Sequence, residues 1–279
     1  MRSVIINADD FGLSPGVNRG VLSAFRDGVV TSTTLLANMA GFDDAAAIAR
    51  DNPDLPVGIH LSLVWGRPVS DPALVPTLVD RQGRLARSAV ALGVRAMLGR
   101  LSEDQMRIEF AGQVRKVLDA GVVPTHLDTH KHIHVLPGVA RALVSVAGEF
   151  GIRKVRLPRE RSARARGRRC SRSGNVKRAV IARLCRRAEA DLAGLKTTDH
   201  FVGIADSAHL DVAALSFILE NLDDGVTEVM CHPAQVDDEM RRYVAHPARC
   251  EIELNALRDD GIRDYTASGS CRLMHFGDL

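Results

Sequence analysis

With 279 residues, 46% of them hydrophobic and 25% charged, the chain can bury a large aliphatic core and reads as one globular domain over 1–279. No run of about 18 apolar residues offers a membrane span, and Val4-Ile5-Ile6 begins too early for a secretory leader, so a cytoplasmic protein is expected. Five scattered cysteines match neither a disulfide framework nor a thiolate zinc site. The net charge of +3 conceals a division. Between Arg153 and Arg187 stand 15 basic residues and one acid, whereas the remainder holds 22 basic and 33 acidic residues.

Residues 4–8 predict a short apolar strand ending in Asp9-Asp10-Phe11-Gly12. Ser14-Pro15 opens a helix to about residue 27, with a hydroxyl at the cap and proline at the first helical position. β-Branched residues at 31–36 predict a second strand. An alanine-rich helix over 42–50 ends at Asn52-Pro53, and 57–61 forms a third strand carrying His60. Residues 66–101, broken by Pro and Gly, read as a long loop with a small helix. Ser102 then caps an amphipathic helix over 103–119. A fourth strand leads into Thr-His-Leu-Asp-Thr-His-Lys-His-Ile-His at 125–134. Helix 137–150 and a strand at 152–157 follow. The basic insertion, about 158–190, reads as a loop to residue 175 and a helix to 193. Strands are expected at 197–203 and 227–231, helices at 210–222 and 250–258, and a last strand at 262–266.

Seven or eight β/α units with short strands predict a closed or nearly closed TIM-like (β/α) barrel, with an open doubly wound sheet as the rival. Neither a dinucleotide fingerprint nor a P-loop is present. Polar residues gather where the predicted strands end. Asp9 and Asp10 close the first, His60 the third, Asp128 and His130 the fourth, and His232 the one at 227–231; Asp199 and His200 lie near another. A barrel brings such ends to one mouth. In extended backbone alternate side chains share a face, so His126, Asp128 and His130 can look into one cavity, while His132 and His134 leave it as the loop turns. Adjacent Asp9 and Asp10 cannot both point inward from an ideal strand, so the first strand must turn there. Imidazoles and carboxylates at this density suit a divalent ion, although spacing alone does not separate metal binding from metal-free acid–base chemistry.

Asn-Ala-Asp-Asp-Phe-Gly at 7–12, Gly-Ile-His-Leu at 58–61, the histidine cluster at 125–134 and Met-Cys-His-Pro-Ala at 230–234 together resemble the YdjC-like carbohydrate deacetylases. That family includes chitooligosaccharide deacetylases and deacetylase-like proteins associated with hopanoid biosynthesis. The resemblance covers almost the whole chain in the same order. It implies a distorted barrel related to polysaccharide deacetylases and one divalent ion, with Mg, Zn, Mn, Co and Ni all open. The implied reaction removes an N-acetyl group from an amino sugar carried on an oligosaccharide, glycoside or glycolipid. Carried over, Asp10, His60 and His130 become the metal ligands, Asp9 the catalytic base, His232 the general acid and Asp128 the residue supporting them. A homodimer is a further implication.

The residues suit that chemistry in their own right. Amide hydrolysis needs an activated water, a stabilised oxyanion and a proton for the leaving amine. Trp65, the only tryptophan, can stack on a sugar face or plug the core. His132, Arg156 and His200 are further candidates for substrate contact, each with a structural alternative. Two other classes remain open. A phosphoesterase or other amidase on the same barrel would share every ligand. The basic insertion also suits an anionic membrane surface, reached from the cytoplasm as a peripheral contact, while the acidic body argues against nucleic acid.

Overall fold

The computed structural model describes residues 2–161, 172–205, 207 and 209–279. In chain order these residues form β1 (Arg2–Phe11), α1 (Pro15–Arg26), β2 (Ser32–Leu35), α2 (Phe42–Asp51), β3 (Val57–Leu61), α3 (Ala89–Met97), α4 (Glu103–Asp119) and β4 (Leu127–Thr129). They continue through α5 (Val139–Glu149), α6 (Arg172–Leu192), β5 (His200–Val202), α7 (Val212–Glu220), β6 (Gly225–Cys231), α8 (Asp238–Arg241), α9 (Pro247–Leu257), α10 (Asp260–Ala267) and β7 (Arg272–Met274). The sheet runs β4-β3-β2-β1-β6-β5, with β7 also paired to β1, and every pairing is parallel. It is curled and incompletely closed. Between β4 and β5 only single bridges span the gap among the described residues, Leu127 with Val155, Lys154 with Lys196 and Glu160 with Phe201.

The hydrophobic pattern explains the layers. Val4, Ile6 and Ala8 of β1 join the aliphatic core with Val17, Val21 and Ala24 of α1, whose spacing puts them on one helical face. Asn7 and Asp9 alternate to the other face, where buried polar residues line the inside of the curled sheet. α1 begins as expected, with Ser14 Oγ accepting from the Val17 amide and Pro15 in the first turn. Gly16 and Gly20 let α1 press against the loop after β6. A Cβ at Gly20 would lie 2.4 Å from the Ala234 Cα, and one at Gly16 would lie 2.1 Å from the Gln235 carbonyl oxygen.

Three expectations change. Residues 262–266 belong to α10, where Asp259 caps the Ile262 amide and Ile262 and Thr266 bury one helical face; the last strand is β7. Residues 152–157 supply isolated bridges, Val155 to Leu127 and Lys154 to Lys196, rather than a strand. The basic helix begins at Arg172 rather than near 175 and packs through Ile181, Cys185, Ala188 and Leu192. Most of the loop expected over 159–174 lies outside the described residues.

Candidate metal centre

β1 does turn where its two aspartates require it. Asp10 adopts φ +67°, and the β1–β2 register is irregular between Ala8 and Phe11. A left-handed non-glycine residue costs roughly 1–3 kcal/mol, a strain that recurs at functional sites. The result is that Asp9 and Asp10, though adjacent, line the same cavity.

Three donor atoms meet around Asp10, which lines this cavity. The Asp10 Oδ1 to His130 Nδ1 distance is 2.9 Å, His130 Nδ1 to His60 Nε2 is 3.4 Å, and His60 Nε2 to Asp10 Oδ1 is 3.5 Å. Ligand bonds of about 2.0–2.2 Å to one ion would place neighbouring donors roughly 3.0–3.5 Å apart, so this triangle fits a divalent cation. His60 is oriented from behind by Asp128, whose Oδ1 lies 2.6 Å from Nδ1. That is how carboxylates commonly hold metal-binding imidazoles. Asp9, His60 and Asp128 form a second close group. It is less suited to an ion, because Arg156 already neutralises both of its carboxylates.

Arg156, a candidate for substrate contact by its sequence position, is instead fully buried beneath the site. Its two terminal nitrogens each donate at 2.6 Å to an oxygen of Asp9, Nη1 lies 2.5 Å from Asp128, and Nε donates to Glu228 at 2.7 Å. The guanidinium is consumed by three carboxylates and cannot reach the mouth. Burial raises the Asp9 carboxyl, but the Arg156 charge and hydrogen bonds, with His60, bring it down to about 2. Burial dominates at Glu228 and pushes its carboxyl up to about 7.

His232 follows β6 on the other side of the cavity. Its backbone N–H donates to Glu253 Oε2 at 2.6 Å and its Nδ1 lies 3.7 Å from the same oxygen, leaving Nε2 for the cavity. Burial lowers the His232 imidazolium, yet Glu253, Asp9 and Asp10 together leave it raised above the ordinary histidine value. The cavity holds about 400 Å³ and is walled by Trp65, Lys131, Tyr243 and aliphatic residues including Met240 and Val244.

A model described as YdjC-like protein matches residues 3–268. The chain belongs to the YdjC-like family. A carbohydrate deacetylase of Thermoanaerobacter pseudethanolicus is 32% identical, with the match covering 100% of both chains. A chitooligosaccharide deacetylase of Klebsiella pneumoniae is 38% identical over 100% of this chain and 99% of its own. Among solved structures, an Enterococcus faecalis protein provisionally described as a cellobiose-phosphate cleavage protein superposes with a TM-score of 0.76. It is 24% identical, and the match covers 100% of this chain and 98% of that one, a likeness of fold.

Within this YdjC-like site the remaining sequence candidates separate. Trp65 lines the cavity, its ring 4.3 Å from that of His130. Asp128 touches His60, Thr34 and Arg156. After His130 the backbone turns sharply, with Lys131 and His132 at φ +57° and +56°. That turn carries His132 away from the mouth, to lie edge-on to Phe201 at 5.8 Å, and His134 onto the Thr129 hydroxyl at 2.6 Å. His126 stacks on Phe276 at 3.6 Å and takes no part in the donor triangle. His200 opens β5 level with Thr227, which pairs with Val4; it sits at the strand's far end and holds the Asp224 carbonyl. Asp199 caps the Val226 amide. Sequence reasoning missed Glu228 and Glu253. Both carried a signal, as lone acids in the apolar pattern of β6 and on the buried face of α9.

Proposed function

We propose that this chain is a metal-dependent hydrolase that removes the N-acetyl group from an N-acetylated amino sugar. The observation that carries the reading is the donor triangle of Asp10, His60 and His130, whose Asp10 lines a cavity together with Asp9 and His232. Full-length similarity to curated carbohydrate deacetylases supports it. A divalent ion bound there supplies Lewis acidity to the acetyl carbonyl and the attacking water. Asp9, kept ionised by Arg156, accepts a proton from that water as it adds to the acetyl carbon. His232, whose imidazolium form Glu253 favours, donates to the leaving nitrogen as the C–N bond breaks, giving acetate and a free amine. Trp65 and Tyr243 offer a wall on which a sugar ring can stack.

Acetate release from N-acetylglucosamine glycosides, compared between metal-stripped and metal-restored protein, tests the reading. Restoration should return activity, and Asp9→Asn should retain the metal while losing on the order of 10² to 10⁴-fold in kcat. Metal-independent turnover would overturn it. Cytoplasmic placement belongs to the same proposal and is supported by four buried free thiols, Cys185, Cys231, Cys250 and Cys271. A homodimer and peripheral contact with anionic surfaces complete it. Arg183, Arg186 and Arg187 stand exposed on α6, away from its buried stripe, and supply charge for such a contact. No described helix is long and apolar enough to cross a membrane.

A further inference from the structure

α3 is apolar on two faces, and only one of them is covered. Leu92 and Ala96 turn inward and are buried, and a Cβ at Gly93 would lie 3.5 Å from the Leu136 side chain. On the other side Val90, Val94, Met97 and the C-capping Leu98 are 77%, 55%, 59% and 59% exposed. At 3.6 residues per turn these four share an arc of roughly 100°. A surface helix ordinarily turns polar side chains to water, whereas one apolar all round is buried in a core or a membrane. Single exposed apolar residues are commonplace, but a contiguous group marks an interaction surface. Around this group the charge has one sign. Residues 81–102 hold Arg81, Arg84, Arg87, Arg95 and Arg100 and no acid, and Arg87 and Arg100 stand exposed just beyond the two ends of the helix. The flanking acids are committed elsewhere, Asp80 to the backbone amides of Gln82 and Arg84, and Glu103 to Arg141 at 2.7 Å. α3 also sits beside the metal centre. It packs against the 130–135 turn that begins with the donor His130, and Trp65 of the cavity wall donates its indole N–H to the Arg87 carbonyl at 3.2 Å. α6 packs against the same turn and exposes Val176 and Val180 on the face that carries Arg183.

We infer that α3 docks the protein on an anionic lipid bilayer, with Val90, Val94, Met97 and Leu98 entering the headgroup–acyl boundary and Arg87 and Arg100 meeting the lipid headgroups. An apolar helical face with cations at its edges is what lies in the plane of such an interface, and negative leaflets attract basic segments of this kind. A second copy of the chain fits the same face less well. A two-fold contact sets one patch against itself, so two arginine rims would meet with no carboxylate within 81–102 to accept them. Docking through α3 holds the metal cavity beside the lipid surface. The inference rests on the peripheral contact proposed above and names the element that makes it; it is independent of the deacetylase chemistry.

The test is co-sedimentation of the full chain, metal-loaded, with vesicles of phosphatidylcholine alone and of equal parts phosphatidylcholine and phosphatidylglycerol, over a salt series. Partitioning should be about tenfold or more stronger on the anionic vesicles and should weaken as salt is added. Val94→Asp and Met97→Asp should each lower it by about tenfold or more, because a charge at the boundary opposes insertion, whereas Val94→Leu should preserve it. Val123→Asp changes a residue that is 83% exposed outside α3 and should have no effect. Circular dichroism should show the same fold in all four variants. Equal partitioning of the parent chain, Val94→Asp and Met97→Asp overturns the inference. If those variants bind normally while Arg183→Gln/Arg186→Gln/Arg187→Gln does not, the peripheral contact stands on α6 alone and the inference for α3 fails. A dimer in light scattering that Met97→Asp dissociates, with no vesicle binding by the parent chain, assigns the face to a second copy and likewise overturns it. Acetate release from a soluble N-acetylglucosamine glycoside is followed in parallel. If vesicle binding behaves as expected and no acetate is released, the docking surface stands and the deacetylase reading fails.

Discussion

Replacing Arg156 with methionine probes the centre of the site without opening a large void. The side chain is fully buried and donates to Asp9 at 2.6 Å twice and to Glu228 at 2.7 Å, with Asp128 at 2.5 Å. Removing it strands three buried carboxylates, and breaking a buried ion pair from one side typically costs about 3–5 kcal/mol. A second consequence concerns titration. The folded Asp9 carboxyl sits at about 2, below the ordinary value of 3.8, so its contribution to stability is present above pH 3.8 and lost as pH falls toward 2. That contribution is about 2 kcal/mol, because each tenfold change in proton affinity is worth roughly 1.4 kcal/mol. In Arg156→Met burial acts on Asp9 against the charges of His60 and His232 alone, so much of this contribution should disappear and the acid limb of the kcat/KM profile should move upward. The assay pairs urea denaturation at several pH values with acetate release over the same range. Because negative charge is in excess once the arginine is gone, Arg156→Met/Glu228→Gln should recover part of the lost stability. A loss below about 1 kcal/mol with an unmoved acid limb would refute the view that Arg156 holds Asp9 ionised.

Replacing Asp10, His60 or His130 singly with alanine should abolish stoichiometric metal binding, read by isothermal titration or elemental analysis, while circular dichroism shows a retained fold. A metal bound tightly by all three variants would place it elsewhere. His232→Ala should slow amide hydrolysis by about 10² to 10⁴-fold yet leave activated aryl acetates much less affected, since good leaving groups need little protonation. Equal losses on both would remove His232 from the acid role. The folded Glu228 carboxyl is raised to about 7, so the native state holds its proton more tightly than the unfolded chain. Its contribution to stability is therefore lost as pH rises from about 4.5 to 7, by about 3 kcal/mol. Glu228→Gln should flatten that slope in thermal melts, and an unchanged slope would count against it.

Elements that follow a local rule were legible from the residues alone. Ser14-Pro15 placed the start of α1, the β-branched runs placed β2 and β3, and Ser102 placed the start of α4. A turn at Asp9-Asp10 was required as well, because neighbouring side chains in a strand face opposite ways, and φ +67° at Asp10 meets that requirement. That the candidate donors gather at one place was legible because strand ends in a barrel converge on one mouth, whereas the choice of Asp10, His60 and His130 among them came from the family resemblance. What local pattern could not contain was long-range partnership. Arg156 looked like a cation aimed at substrate, and only folding brought Asp9, Asp128 and Glu228 around it from three other places in the chain. His132 and His200 carried the right chemistry but were turned away, one by two left-handed residues and the other by its place at the far end of β5. Residues 262–266 read as a strand because β propensity depends on having a neighbour to pair with, and here Asp259 caps a helix instead. A cavity lined by Arg67, Arg84, Arg87 and Arg242 beside Trp65 and Tyr243 is the clearest case. Arg67, Arg84 and Arg87 look ordinary in a loop sequence, and Arg242 lies more than 150 residues further on. Packing around Trp65 and Tyr243 is what sets their charges facing one space next to the metal triangle.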